Sequence, residues 1–157
     1  MIIDKFDGRW RFLSNFHPCK VERDGIVYPS NEHFYVAMKI NTPQWIKDPV
    51  TKQTRLYEID DAREYVSRVS TPGKVKQVGR ALDVRKDWDD IKYNVMLYGV
   101  RQKFQDEVLK QMLLDTEDAE LIEGNWWGDI YWGICNGIGQ NNLGKILMQV
   151  RKELCGS

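Results

Sequence analysis

The segment from Trp88 to Asp115 constrains the fold more than any other, because it carries apolar residues at helical spacing along two neighbouring stripes. Ile91, Val95, Tyr98 and Gln102 follow one stripe, and Met96, Val100 and Phe104 follow the next. Spacings of three and four residues place side chains on one side of a helix. Asp106 is positioned to cap a second helix whose apolar residues are Val108, Leu109, Met112 and Leu113. Other helix signals flank this block. Thr71 and Pro72 form a cap and first-turn pair ahead of Val75, Val78 and Leu82. The acids of DDAREYVSRV open a short helix, and Leu143, Ile146, Leu147, Val150 and Leu154 mark a final helix starting near Asn141 or Asn142.

The β signals are fewer. CKVERDGIVYP reads as a hairpin turning at Asp24-Gly25. RWRFLSNF, with aromatics at 10, 12 and 16, suits a strand or an ordered loop, and AELIEG a short strand. Residues 41–57 hold two prolines and little periodicity, which fits an insertion or mobile loop. The expectation is a single α+β domain over residues 1–157, mainly helical with a small β component.

Composition narrows the function. Lys plus Arg and Asp plus Glu are both 23, so the net charge is zero, which argues against a dedicated nucleic-acid coat but not against a local basic patch. Three cysteines without a CxxC pair point to free thiols in a reducing compartment. Two histidines are too few for a His-rich metal site, so no metal is expected. His17 and His33 read as a hairpin residue and a helix-cap partner. No signal segment and no run of membrane-spanning length is present, so the expected location is the cytoplasm, the host's if the protein is viral.

Two stretches look like chemistry. In PSNEHFYVAMK, Glu32 and Lys39 lie seven residues apart, which puts them on one helical face roughly 10 Å apart along the axis. As an isolated pair they are an ordinary solvated face; as a site they set an acid against an amine. The other stretch, GNWWGDIYWGICNGIGQNNLG, holds half of the 12 glycines and half of the 6 tryptophans. Glycines allow close backbone approach, indoles offer stacking surfaces, and the helix start at NNLG offers amides to an anion. The plain alternative is a compact loop packed by tryptophans. Trp88 by itself reads as core, Asp129 as a turn former, and Arg80, Arg85, Lys86 and Arg151 either as surface charges or as partners of a phosphate.

Taken in order, FLSNF, PSNEH with Lys39, VGRALDVRKDWDDIKYNVM, KF, LLDT, DIYWG and NNLGKILMQVR resemble the NADAR family, the YbiA-like N-glycosidases, over residues 6–152. The resemblance implies hydrolysis of an N-glycosidic bond to a ribose-type sugar, without metal or organic cofactor. It implies that Glu32 is the acid of a Ser-x-Glu-His motif and Lys39 the lysine that follows. Trp88 falls in the Arg-x-x-Trp element, beside Arg85, and Asp129, Trp132 and Gly133 form the Asp-x-x-Trp-Gly element. Glu32, Lys39 and Asp129 are then the catalytic candidates. Asn15, Phe16, Trp88, Arg85, Trp132, Gly133, Asn142 and Gly144 are the substrate-binding candidates. Lys39 has two open roles, a Schiff base with the sugar or a contact to a hydroxyl or phosphate.

The resemblance carries two substrate classes, ADP-ribose on guanine in nucleic acid and phosphorylated ribosylamino-pyrimidine intermediates of riboflavin biosynthesis. A non-catalytic ADP-ribose-binding module is a third reading, which the retained Glu32, Lys39 and Asp129 oppose. The length of 41–57, with Lys47, Lys52 and Arg55, and the tryptophans of NWWGDIYWG depart from the family pattern and favour the nucleic-acid substrate. No membrane partner is expected.

Overall fold

The computed structural model describes residues 1–156. The chain opens with β1 (Ile2–Ile3), a 3-10 helix over Gly8–Leu13 and two strands, β2 (Pro18–Arg23) and β3 (Ile26–Ser30). α1 (Asn31–Ala37) follows directly. β4 (Gln44–Lys47) and β5 (Thr54–Tyr57) lead into α2 (Ile59–Ser67), α3 (Pro72–Arg80), α4 (Trp88–Lys103) and α5 (Glu107–Leu114). The short strands β6 (Glu120–Leu121), β7 (Gly124–Asn125) and β8 (Ile134–Cys135) precede the last helix, α6 (Asn142–Cys155). The strands pair only in twos: β2 with β3 and β4 with β5 antiparallel, β1 with β6 and β7 with β8 parallel. The α+β expectation holds. No described helix is long and apolar enough to cross a membrane.

Local chemistry sets the boundaries. Asp24 (φ 52°) and Gly25 (φ 81°) are both left-handed, as a two-residue hairpin of the I′ type requires. The Ser30 hydroxyl accepts from the His33 amide (3.1 Å), and Thr71 from that of Lys74 (3.2 Å). Asp106 accepts from the Val108 and Leu109 amides. Each cap satisfies donors that a helix start leaves open. His33 is fixed as a cap partner: its ring lies 2.6 Å from the Ser30 hydroxyl and 2.8 Å from the Val69 carbonyl.

Two stripes on one helix mean two cores. Met96, Val100 and Phe104 pack with the 3-10 helix, α5 and α6, while Trp88, Ile91, Val95 and Tyr98 pack with α1, α2 and α3. α4 is therefore shared between two apolar clusters. α1 is buried almost all round, Asn31, Glu32 and His33 included, with only Tyr35 half-exposed.

Three expectations give way. The stretch 9–16 is largely a 3-10 helix rather than a strand or loop. Within 41–57 the chain is not irregular throughout: Gln44–Lys47 and Thr54–Tyr57 pair as a hairpin, and the buried Gln44 amide, which donates to the Asp83 carbonyl and accepts from the Asp83 amide (2.9 Å each), anchors one strand. α1 stops at Ala37, and Lys39 stands in the turn that follows.

Gly99 is where α4 meets α1. A Cβ there would overlap the Asn31 amide oxygen and lie 3.0 Å from Phe34. Asn31 donates to Asn15 (2.9 Å), so the same contact positions the loop after the 3-10 helix. Gly99→Ala is expected to cost roughly 1–3 kcal/mol of stability and lower Tm by several degrees in a thermal melt. An unchanged Tm would show that α1 and α4 can separate freely.

Candidate active site

One cavity of about 670 Å³ gathers the sequence candidates Glu32, Lys39, Asp129, Asn15, Phe16 and Trp132. Glu32 enters from the first turn of α1, held by its backbone amide on the Asn15 carbonyl (3.1 Å). The residue is 9% exposed, and burial, with a smaller push from Asp129, raises its carboxyl above the ordinary range against the pull of Lys76 and Lys39. Lys39 lies 5.5 Å from the Tyr35 ring centre and 5.8 Å from that of Trp88. Burial lowers its ammonium below the ordinary lysine value, while Glu32 opposes the shift. Burial thus disfavours the charged form of both the acid and the amine, while each one's charge opposes the other's shift.

The glycine- and tryptophan-rich segment supplies the facing wall. Asp129 Oδ1 accepts from the Tyr131 (3.2 Å) and Trp132 (2.9 Å) amides, which fixes its charge over a turn. Trp132 donates its indole N–H to the Tyr35 hydroxyl (3.1 Å) and meets that ring edge-on. Asn125 ties the loop base: it accepts from the Asp129 amide (3.0 Å) and donates to the Asp129 carbonyl (2.8 Å). Between them, Trp126 is 86% exposed and Trp127 50%, at the cavity edge.

Glu123 is the group that reading the sequence missed. It lies on the cavity wall, and burial pushes its carboxyl up to about 7, with a further upward push from Asp129 and Glu32. Asn141, in the left-handed region, accepts from the Glu123 amide and donates to the Leu121 carbonyl (2.9 Å each), which sets this carboxylate's position. Gly133 makes room for it: a Cβ there would overlap the Glu123 side chain and backbone carbonyl. The available signal was an acid at the end of an expected strand, immediately before the glycine-rich segment. Lys76 and Arg80 of α3 also reach the cavity.

Other candidates support the site without lining it. Trp88 backs the Tyr35 ring at 4.9 Å. Arg85 pairs with Asp87 (2.7 Å), and its amide donates to the Lys39 carbonyl (2.9 Å), so it holds the lysine's backbone instead of meeting a phosphate in the cavity. The start of α6 is not an open anion site. The Asn141, Asn142 and Leu143 amides donate to the carbonyls of Gly133, Tyr131 and Trp132. Asn142 is buried, and Gly144 lets the helix approach the Leu121 carbonyl. Among the described residues no three His, Cys, Asp or Glu side chains are grouped to hold a metal ion.

A family model described as NADAR domain matches residues 4–155. The N-glycosidase YbiA of Shigella boydii is 33% identical over 146 residues, which is 90% of this chain and 80% of that protein. A riboflavin biosynthesis protein of Vibrio vulnificus is 39% identical over 150 residues. That match takes in 94% of this chain but only 36% of the relative's length. The NMR structure of the E. coli protein YbiA aligns with a TM-score of 0.75 at 31% identity, covering 98% of this chain and 85% of that one. A family match over almost the whole chain, carried by the same fold, means that the chain belongs to the NADAR domain family.

Proposed function

We propose that the chain is an N-glycosidase that removes ADP-ribose from guanine in modified nucleic acid. The observation that carries the reading is the cavity: Glu32, Glu123, Asp129 and Lys39 converge in it, and two exposed indoles stand at its edge. Carboxylates suit a sugar centre that gains positive charge as its bond to the base breaks. Lys76 and Arg80 suit the diphosphate. Trp126 and Trp127, with Lys76 5.6 Å from the Trp127 ring centre, suit a flat base or adenine.

The reaction can be written on these residues. The Lys39 ammonium passes a proton to Glu32, and the free amine attacks the anomeric carbon. The bond from that carbon to the base nitrogen breaks, and the base takes a proton from Glu123. The ribose ring opens as its oxygen takes a proton from the new ammonium, leaving the sugar as an iminium on Lys39. Water adds to that carbon, its two protons pass to the nitrogen, and Lys39 leaves as an ammonium from the free sugar, while the proton held by Glu32 passes through water to the Glu123 carboxylate and restores both acids. Asp129, held in place by the Tyr131 and Trp132 amides, faces the same cavity.

A second reading is hydrolysis of a phosphorylated ribosylamino-pyrimidine. The name of the Vibrio relative favours it, although this chain matches only 36% of that protein. Incubating the protein with an ADP-ribosylated guanine oligonucleotide and, in parallel, with the ribosylamino-pyrimidine tests both, with Glu32→Gln as control. Release of ADP-ribose, lost in Glu32→Gln, is the expected result. Trp127→Ala is expected to raise KM about tenfold for the oligonucleotide and leave the pyrimidine unaffected. Cleavage of the pyrimidine alone overturns the nucleic-acid reading.

A further inference from the structure

α3 separates the active-site cavity from a second groove, of about 840 Å³, bordered by α2, α3 and the β4–β5 hairpin. α3 carries Lys74, Lys76 and Arg80 and no acid. Lys76 and Arg80 line the active-site cavity, whereas Lys74 lines the groove. Across the groove, Tyr57 and Tyr65 are half-buried and meet edge-on, ring centres 5.5 Å apart. The Arg55 guanidinium lies over the Tyr57 ring, 4.3 Å from its centre, and presents its own outer face to the groove. Glu64 is matched by Arg68 (3.2 Å), while neither Arg55 nor Lys74 is in an ion pair among the described residues.

We propose that this groove binds single-stranded nucleic acid flanking the modified base, one base against Tyr65 and the Arg55–Tyr57 stack and the backbone phosphates on Lys74 and the guanidinium edge of Arg55. The proposal rests on the reading of the cavity as a site for base-linked ADP-ribose. Aromatic rings beside cations that are in no ion pair are the combination that holds a strand without reading its sequence. Asp61 on the α2 side repels phosphates, whereas Glu64 is neutralised by Arg68, so the backbone is turned toward α3 and the hairpin. The strand then has a helix's thickness, about 10 Å, to cross between groove and cavity.

Fluorescence anisotropy with a labelled, unmodified single-stranded oligonucleotide tests the groove directly. Tyr65→Ala is expected to weaken binding about 5- to 100-fold. The Arg55→Gln/Lys74→Gln double variant, which leaves the tyrosines in place, is expected to flatten the log Kd against log salt slope by about 1.4. Kinetics separate this proposal from the reading beneath it. Groove variants should raise KM for an ADP-ribosylated oligonucleotide and leave that for ADP-ribosylated guanosine unchanged. If wild-type protein cleaves the nucleoside but folded groove variants bind and cleave oligonucleotides like wild type, the groove proposal is wrong and the activity stands. If neither modified substrate is cleaved but the variants lose oligonucleotide binding, the activity is wrong and the groove stands. Full displacement of the strand by equimolar free GMP overturns the strand assignment.

Discussion

Lys39→Met leaves a folded protein whose turnover falls on the order of 10⁴-fold or more, the scale of losing a nucleophile. Methionine keeps the length and apolar stem of the side chain, so the packing against Tyr35 and Trp88 survives while the amine is gone. Lys39→Arg is the more telling partner. Arginine restores the positive charge but stays protonated and cannot attack carbon. If Lys39 only bound a hydroxyl or a phosphate, arginine would recover much of the rate. The covalent route expects both variants to be equally inactive. Borohydride added during turnover should reduce the iminium to a secondary amine, fixing the sugar to Lys39 as a mass adduct. Neither variant should give it. Wild-type protein without an adduct, together with an active Lys39→Arg, would return the lysine to a binding role and leave the carboxylates to activate water directly.

Much of this site was legible because its anchors are local. Ser30, Thr71 and Asp106 cap the helices their sequence positions suggest, and Asp24-Gly25 turns the hairpin its composition demands. Glu32 and Lys39 stay close enough to influence each other's protonation although the helix between them ends at Ala37, because the Lys39 amide still bonds to the Val36 carbonyl (3.1 Å) and prolongs the turn. What could not be read depends on distant partners. The two-residue parallel pairings of β1 with β6 and β7 with β8 leave no periodicity in so few residues. The hairpin within 41–57 is anchored by Gln44 on Asp83, a pairing 39 residues apart. Whether the α6 amides were open to an anion depended on where the carbonyls of Tyr131, Trp132 and Gly133 fold, and they fold back onto those amides. Glu123 was hidden for the same reason: only tertiary folding sets it beside Asp129 and Glu32, and an acid at a strand end is otherwise unremarkable.

Glu123→Gln gives the other large effect, and its pH signature separates it from simple damage. Glu123 holds its proton up to about 7, so at neutral pH a fraction of the protein can donate to the departing base. Activity should decline above pH about 7 in wild type. Glutamine cannot donate in the same way, and a loss of about 10²–10⁴-fold is expected, with that alkaline limb removed from the residual rate. Stability moves in the opposite direction. The folded value, about 7, lies above the ordinary 4.5. Below pH 4.5 both folded and unfolded chains carry the proton. Between 4.5 and about 7 only the folded chain keeps it, so wild-type stability falls as pH rises and levels off beyond the folded value. That interval corresponds to at most about 3 kcal/mol. Glu123→Gln should therefore melt higher than wild type at pH 8 and show a shallower slope between pH 5 and 7. Some slope remains, because burial also raises Glu32, but it weakens as the charge of Glu123 no longer repels that of Glu32. A variant that is inactive and melts lower than wild type at every pH would mean that Glu123 braces the loop and donates no proton. An alkaline limb retained in the variant's residual rate would assign the proton to another group.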